Sequence, residues 1–262
     1  MTPLTSPRLA GAEPMPTEHI SAPLATCSQG SSRAWLWSQA ALLIASALTL
    51  LWVFETTDLD RQLAALLFDR ELDAFPLRHV WFLDAVMHKA AKQVSYILVA
   101  ASLWLCWQGW KGRFSWLPPR NALLAATGMV AIPIATSLGK LLTARYCPWD
   151  LIDFGGYAPY LGLFEAAPQG IKAGQCFPAG HASAGYLWIV WAVALRPAGL
   201  RTARRALLAG LLAGGILGTT RMLQGAHFLS HTLWTLWLAW ALSLSLAVAL
   251  RADLALGNQH RA

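Results

Sequence analysis

Long apolar runs separated by short polar connections dominate the chain. Residues 34–54, 94–110, 122–139, 181–195, 206–219 and 232–250 are almost continuously apolar. A helix needs about 20 residues to cross a hydrocarbon layer roughly 30 Å thick. The pattern therefore predicts an all-α, polytopic membrane protein with six transmembrane helices in a bundle. The fourth and fifth runs are short for a span, so the polar residues beside them must extend those helices within the protein interior. Between the first two runs, Leu59, Leu63, Leu66 and Leu67 share a helical face, with Asp60, Arg61 and Asp69 off it. That spacing predicts a short amphipathic helix lying on the outer surface.

The connections supply an orientation. Residues 111–120 carry Lys111, Arg113 and Arg120 without an acid, and residues 196–205 carry Arg196, Arg201, Arg204 and Arg205 without an acid. Short loops of this kind stay in the cytoplasm, which places both termini inside and segments 55–93 and 140–180 outside. Residues 1–33, rich in Pro, Ser, Thr and Ala, lack a signal-peptide pattern and read as a disordered cytoplasmic tail. Residues 34–250 form one membrane domain, and residues 251–262 form a second cytoplasmic tail.

Composition agrees with this picture. Of the 262 residues 56% are hydrophobic and only 13% charged, and 14 are tryptophan. Trp35, Trp37, Trp52, Trp110, Trp116 and Trp234 lie near span ends, where indole rings anchor at the interface. Trp188, Trp191, Trp237 and Trp240 lie deeper and read as packing residues. The net charge of +7 comes from clusters between apolar runs, not from one polar face. It marks topology and excludes a nucleic-acid partner.

Three polar clusters fall at the outer ends of spans three to six: residues 140–150, residues 177–181 and residues 221–231. Ionisable groups at such depth are costly unless paired or used. A single Lys or Arg there would ordinarily be a snorkelling charge. Lys140, His181, Arg221 and His227 together, drawn from three separated segments, form an acid, nucleophile and anion-binding set.

These clusters resemble the three signature motifs of the type-2 phosphatidic acid phosphatase superfamily: Lys-x6-Arg-Pro, Pro-Ser-Gly-His and Ser-Arg-x5-His-x3-Asp. Here they stand as Lys140-x6-Cys147-Pro148, Pro178-Ala179-Gly180-His181 and Thr220-Arg221-x5-His227-x3-His231. Cys147-Pro148-Trp149-Asp150 and residues 225–231 are similar to a bacterial branch of that superfamily. The resemblance implies a lipid phosphatase of the bacterial inner membrane whose site faces the periplasm and which needs no cofactor and no metal. His227 would attack phosphorus to form a phosphohistidine, and His181 would protonate the leaving group. Lys140 and Arg221 would neutralise phosphoryl oxygens, and the Gly180 N–H would donate to the anion at a helix start. The substrate would be a membrane phospholipid, an isoprenoid phosphate or a lipid A phosphate.

Three positions depart from the parent motifs. Cys147 removes a cation, for which Arg145 could substitute as a phosphate ligand. Ala179 removes a hydroxyl. His231 replaces the aspartate that would orient the nucleophile; an imidazole four residues on could accept the His227 N–H within a helix, and Asp150 is a second candidate orienter. Cys147 and Cys176 adjoin two motifs, either as a disulfide or as two buried thiols. A bridge would close a loop of about 30 residues and contribute roughly 3–4 kcal/mol. Cys27 and Cys106 have no evident role.

Other readings use the same residues. His227 and His231, joined by His181, have spacing suited to zinc, with Asp84 and His88 as further ligands. A phosphoryl transferase between lipids would need the same set as the hydrolase. A non-catalytic lipid-phosphate binding or transport protein would keep the anion pocket without turnover.

Overall fold

The computed structural model describes residues 24–83, 85–86 and 91–256, and the Asp84 and His88 positions lie outside them. The described residues are helical with no β-strand. In chain order the helices are α1 (Leu24–Thr56), α2 (Leu59–Ala65), α3 (Ala91–Trp110), α4 (Pro119–Leu142), α5 (Gly180–Tyr186), α6 (Val190–Ala194), α7 (Leu200–Leu223) and α8 (Leu229–Ala249).

Four helices are long and apolar enough to cross a membrane: Ser32–Thr56 within α1, then α4, α7 and α8. At 1.5 Å per residue, the 24 residues of α4 and of α7 rise about 36 Å, more than the hydrocarbon thickness. The other two expected spans are less regular. Helix α3 has 20 residues, but Gln93, Gln108 and three tryptophans dilute its apolar character. The segment from Gly180 to Ala194 is interrupted by a 3-10 turn at Leu187–Ile189, which divides it into α5 and α6. Helix α1 begins at Leu24, inside the segment expected to be a tail.

The bundle is organised around the α5–α6 segment, which is buried against α4, α7 and α8. Met129 and Ile132 of α4, Tyr186, Ile189, Val190 and Val193 of the central segment, and Ala239 and Leu244 of α8 form its core. Small residues set the spacing. A Cβ on Gly185 would meet the Gly214 backbone nitrogen at 2.3 Å, and a Cβ on Gly214 would meet the Tyr186 ring at 2.0 Å. Only glycine allows α5 and α7 to lie this close, the small-residue packing expected where apolar collapse does not drive helices together.

At the end of the bundle where α4 begins, Asn121 Nδ2 donates to the carbonyls of Ala194 and Asp253, and Arg196 Nε donates to Leu254 O. Arg196 is also stacked over Trp35 and buried. One of the basic residues read as a topology signal is thus a structural clamp. The beginning of the expected C-terminal tail is packed against the bundle by it.

The opposite end carries a second core of Phe75, Tyr146, Leu151, Phe154, Leu161 and Phe228, with Phe68, Phe75 and Phe154 in mutual edge contact. Helix α2 differs from its leucine-face reading. Asp60 and Ala64 point inward and Leu66 is exposed. The reason is a polar partner: Asp60 accepts hydrogen bonds from Ser230 N (3.0 Å) and from the Ser230 hydroxyl at the start of α8. Satisfying two donors at a helix N-terminus outweighs burying one more leucine.

Candidate active site

Lys140 lies in the last turn of α4 and Arg221 in the last turn of α7. His181 is the second residue of α5, and His227 sits in the short connection between α7 and α8. That connection turns at Gly225, whose φ of +71° and 2.4 Å approach to the Phe75 ring exclude a side chain. Ala226 N bonds back to Arg221 O and Trp149 N to Gly225 O, so the histidine loop is held from both sides.

His227 is 6% exposed, and Lys140, Arg221 and His181 all act on it electrostatically. Burial above all, then these neighbours, holds its imidazole well below the ordinary value. His227 is therefore neutral near pH 7. Lys140 Nζ donates to Gln175 O at 3.3 Å and lies 3.6 Å from where a Gly180 Cβ would stand. The glycine makes room for the ammonium. Arg221 Nη1 donates to Gln224 Oε1 at 2.6 Å, and Gln224 Nε2 in turn donates to Arg78 O. Its guanidinium also lies 5.5 Å from the Trp149 ring centre.

The Nδ1 atoms of His227 and His231 are 3.5 Å apart. One shared proton satisfies this pair. When it resides on His227, that ring donates to His231 and its Nε2 carries the free lone pair. His231 stands at the position of the motif's aspartate, although His227 precedes α8 and the two do not share a helix as expected. The partners of Asp150 are other than His227. Asp150 lies in the 3-10 turn Pro148–Asp150, close to Arg78 and bonded to its neighbour Trp149.

Arg145 also departs from the phosphate-binding expectation. It is 1% exposed, donates to the Tyr160 hydroxyl at 2.7 Å, and lies 3.6 Å from Asp60 and 3.8 Å from Glu55. Two carboxylates and a phenol surround it, and it braces α2 against the start of α8. Burial pushes the Asp60 carboxyl up, against the pull of the Ser230 hydrogen bonds and Arg145. Burial likewise raises Tyr160 to about 12, which keeps it a neutral partner.

Cys147 and Cys176 are joined by a disulfide. Cys176 Sγ lies 3.4 Å from His227 Nδ1 and 2.9 Å from Ala226 O, so the bridge stands directly behind the candidate nucleophile. Cys176, not His181, is the third metal-capable group beside His227 and His231. Ala179 is fully buried, and its N–H donates to Thr235 Oγ1 at 2.8 Å. That bond from α8 fixes the backbone before Gly180 and His181.

Sequence reasoning missed Asp60, Tyr160 and Thr235. Asp60 alone left a signal, as an acid in a leucine-rich segment. Its partners Arg145 and Ser230 lie far away in the chain.

Lys140, Gly180 and His181 form the polar end of a cleft of about 460 Å³ between α3, α4 and α5. Val99, Met129, Val130, Leu187 and Leu217 supply apolar lining, interspersed with Ser95, Ser137 and Ser183, while Arg221 and His227 are not among the lining residues.

Residues 121–253 match the PAP2 superfamily, a stretch covering half of the chain and containing all three polar clusters. No curated protein and no solved structure matches the chain significantly. The chain belongs to the PAP2 superfamily, whose members are generally phosphatases acting on phosphate esters.

Proposed function

We propose that this protein is a membrane lipid phosphatase that cleaves a phosphomonoester or diphosphate on a lipid head group through a phosphohistidine on His227. The observation that carries the reading is the cleft. It brings Lys140 and His181 together with Val99, Met129, Val130, Leu187 and Leu217 between α3, α4 and α5. A phosphate beside Lys140 and His181 would leave an acyl or isoprenoid chain along the apolar residues.

In this reading Lys140 and Arg221 neutralise the phosphoryl oxygens, which lowers the repulsion met by an incoming nucleophile. His227 Nε2 attacks phosphorus while its Nδ1 proton is held by His231. The phosphorus–oxygen bond to the lipid breaks, and His181 delivers a proton to the departing oxygen. His181, now neutral, takes a proton from water, whose oxygen attacks phosphorus. The phosphorus–nitrogen bond then breaks and phosphate leaves.

Counting α3 and the α5–α6 segment as spans gives six, with both termini in the cytoplasm and the site on the periplasmic face of a bacterial inner membrane. The basic residues support this orientation: Arg120 begins α4, whereas Lys140 ends it at the site.

The test is phosphate release in detergent from phosphatidic acid, phosphatidylglycerophosphate, undecaprenyl diphosphate and a lipid A phosphate, with His227→Ala as the control. Turnover of at least one lipid by wild type, abolished in the variant, is expected. Release from none of them would overturn the reading.

A further inference from the structure

The position of Cys176 carries a consequence independent of which lipid, if any, is hydrolysed. Cys176, His227 and His231 each place a ligand atom within 4.8 Å of the other two, and all three residues are buried. Two of the separations are 3.4 Å, between Cys176 Sγ and His227 Nδ1, and 3.5 Å, between the two Nδ1 atoms. Zinc bound by sulfur at about 2.3 Å and by nitrogen at about 2.0 Å in tetrahedral geometry needs ligand separations of this size. As a disulfide, however, Cys176 has no thiolate to offer. Two neutral imidazoles beside Lys140 and Arg221 form a poor dication site, because the cations that suit a phosphate repel a metal.

We propose that reduction of the Cys147–Cys176 bridge creates a site for zinc, or a similarly soft divalent cation, made of Cys176, His227 and His231; that the bound ion would block turnover rests on the reading of His227 as the nucleophile. The bridge thereby keeps metal away from the histidine pair.

The chemistry balances with a dithiol as reductant. Cys147 is the more accessible of the two, and Cys176 is buried. A dithiol thiolate attacks Cys147 Sγ, the sulfur–sulfur bond breaks, and Cys176 leaves as a thiolate beside His227. The second thiol of the reagent then displaces Cys147 as a thiol, and the reagent departs as a cyclic disulfide. Two electrons pass from the dithiol to the two cysteines. The Cys176 thiolate and the two imidazoles, each deprotonated at its ligating nitrogen, then take up the cation without further redox change. Bound zinc ties up the His227 Nδ1 that otherwise donates to His231, and its charge removes electron density from the attacking ring.

The experiment measures zinc bound per full-length protein in detergent after reduction by a dithiol and removal of the reagent. Reduced wild type should hold about one zinc, more than about tenfold tighter than the oxidised protein. Cys147→Ser leaves Cys176 free and should bind zinc without any reductant. The double variant Cys147→Ser/Cys176→Ser should bind none, whatever its own turnover. Cobalt in place of zinc should give a thiolate-to-cobalt charge-transfer absorption in reduced wild type and in Cys147→Ser. Equal zinc binding in Cys147→Ser and the double variant, or a cobalt spectrum without the thiolate band, would overturn the proposal. Neither readout depends on phosphatase activity, so this idea and the proposed function can fail separately.

Discussion

His231 Nδ1 stands 3.5 Å from His227 Nδ1, where the parent motif would set a carboxylate, and no part of the His231 side chain reaches solvent. The distance is longer than the usual range of about 2.7–3.2 Å and fits only a weak hydrogen bond. It needs a single proton, and the proposed attack by His227 Nε2 requires that proton on His227 Nδ1. His231→Asn keeps an acceptor at the same reach and should retain kcat within about tenfold of wild type, whereas His231→Leu should lower kcat about 10²-fold or more. Steady-state kinetics on the two variants checks this. Equal losses in both would remove His231 from the orienting role.

A pH profile follows from the low imidazole value at His227. Protonating this ring removes its lone pair, so activity is present above its folded-state pKa and is lost as pH falls through it. The acid-side midpoint of kcat/KM should therefore lie below about 6.5, the ordinary imidazole value. His231→Asp places a negative charge beside the ring and should move that midpoint upward. A wild-type midpoint above the ordinary value would contradict the burial argument.

His181 should matter in proportion to how poor the leaving group is. His181→Ala is expected to cost about 10²- to 10⁴-fold in kcat with a lipid phosphomonoester. It should cost much less with an aryl phosphate, whose phenolate departs without help. Comparing the two substrates in one preparation makes the measurement. A loss independent of the leaving group would assign His181 to binding instead.

Arg145 and Asp60 should behave as a structural pair. Both are nearly inaccessible, and breaking a buried charged pair typically costs about 3–5 kcal/mol. Asp60→Ala or Arg145→Met should each lower the thermal midpoint in detergent, and the double variant should recover part of the loss. Were Arg145 a phosphate ligand, its replacement would raise KM and leave the melting temperature unchanged.

The motif positions were legible in the sequence because chemistry constrains spacing. Lys140, His181, Arg221 and His227 fall where the intervals put them, and the basic connections mark the opposite end. The supports were hidden. Asp60 lay on what the leucine spacing made the polar face of α2, and its inward turn depends on Ser230, 170 residues away. Arg145 has the composition of an anion ligand, and only the fold reveals that Asp60 and Glu55 already occupy it. The shortness of the fourth run was visible, but not the 3-10 turn that divides it.

The contact between Gly185 and Gly214 limits how the molecule can breathe. With no side chain between them, α5 and α7 are joined at backbone contact, and this pair carries His181 at the start of α5 and Arg221 at the end of α7. The other wall of the cleft lacks such a backbone contact: Tyr96 of α3 lines it, and Ile97 beside it is exposed. Any substitution of Gly185 or Gly214 would therefore have to push α5 and α7 apart, and with them the two ends that carry His181 and Arg221.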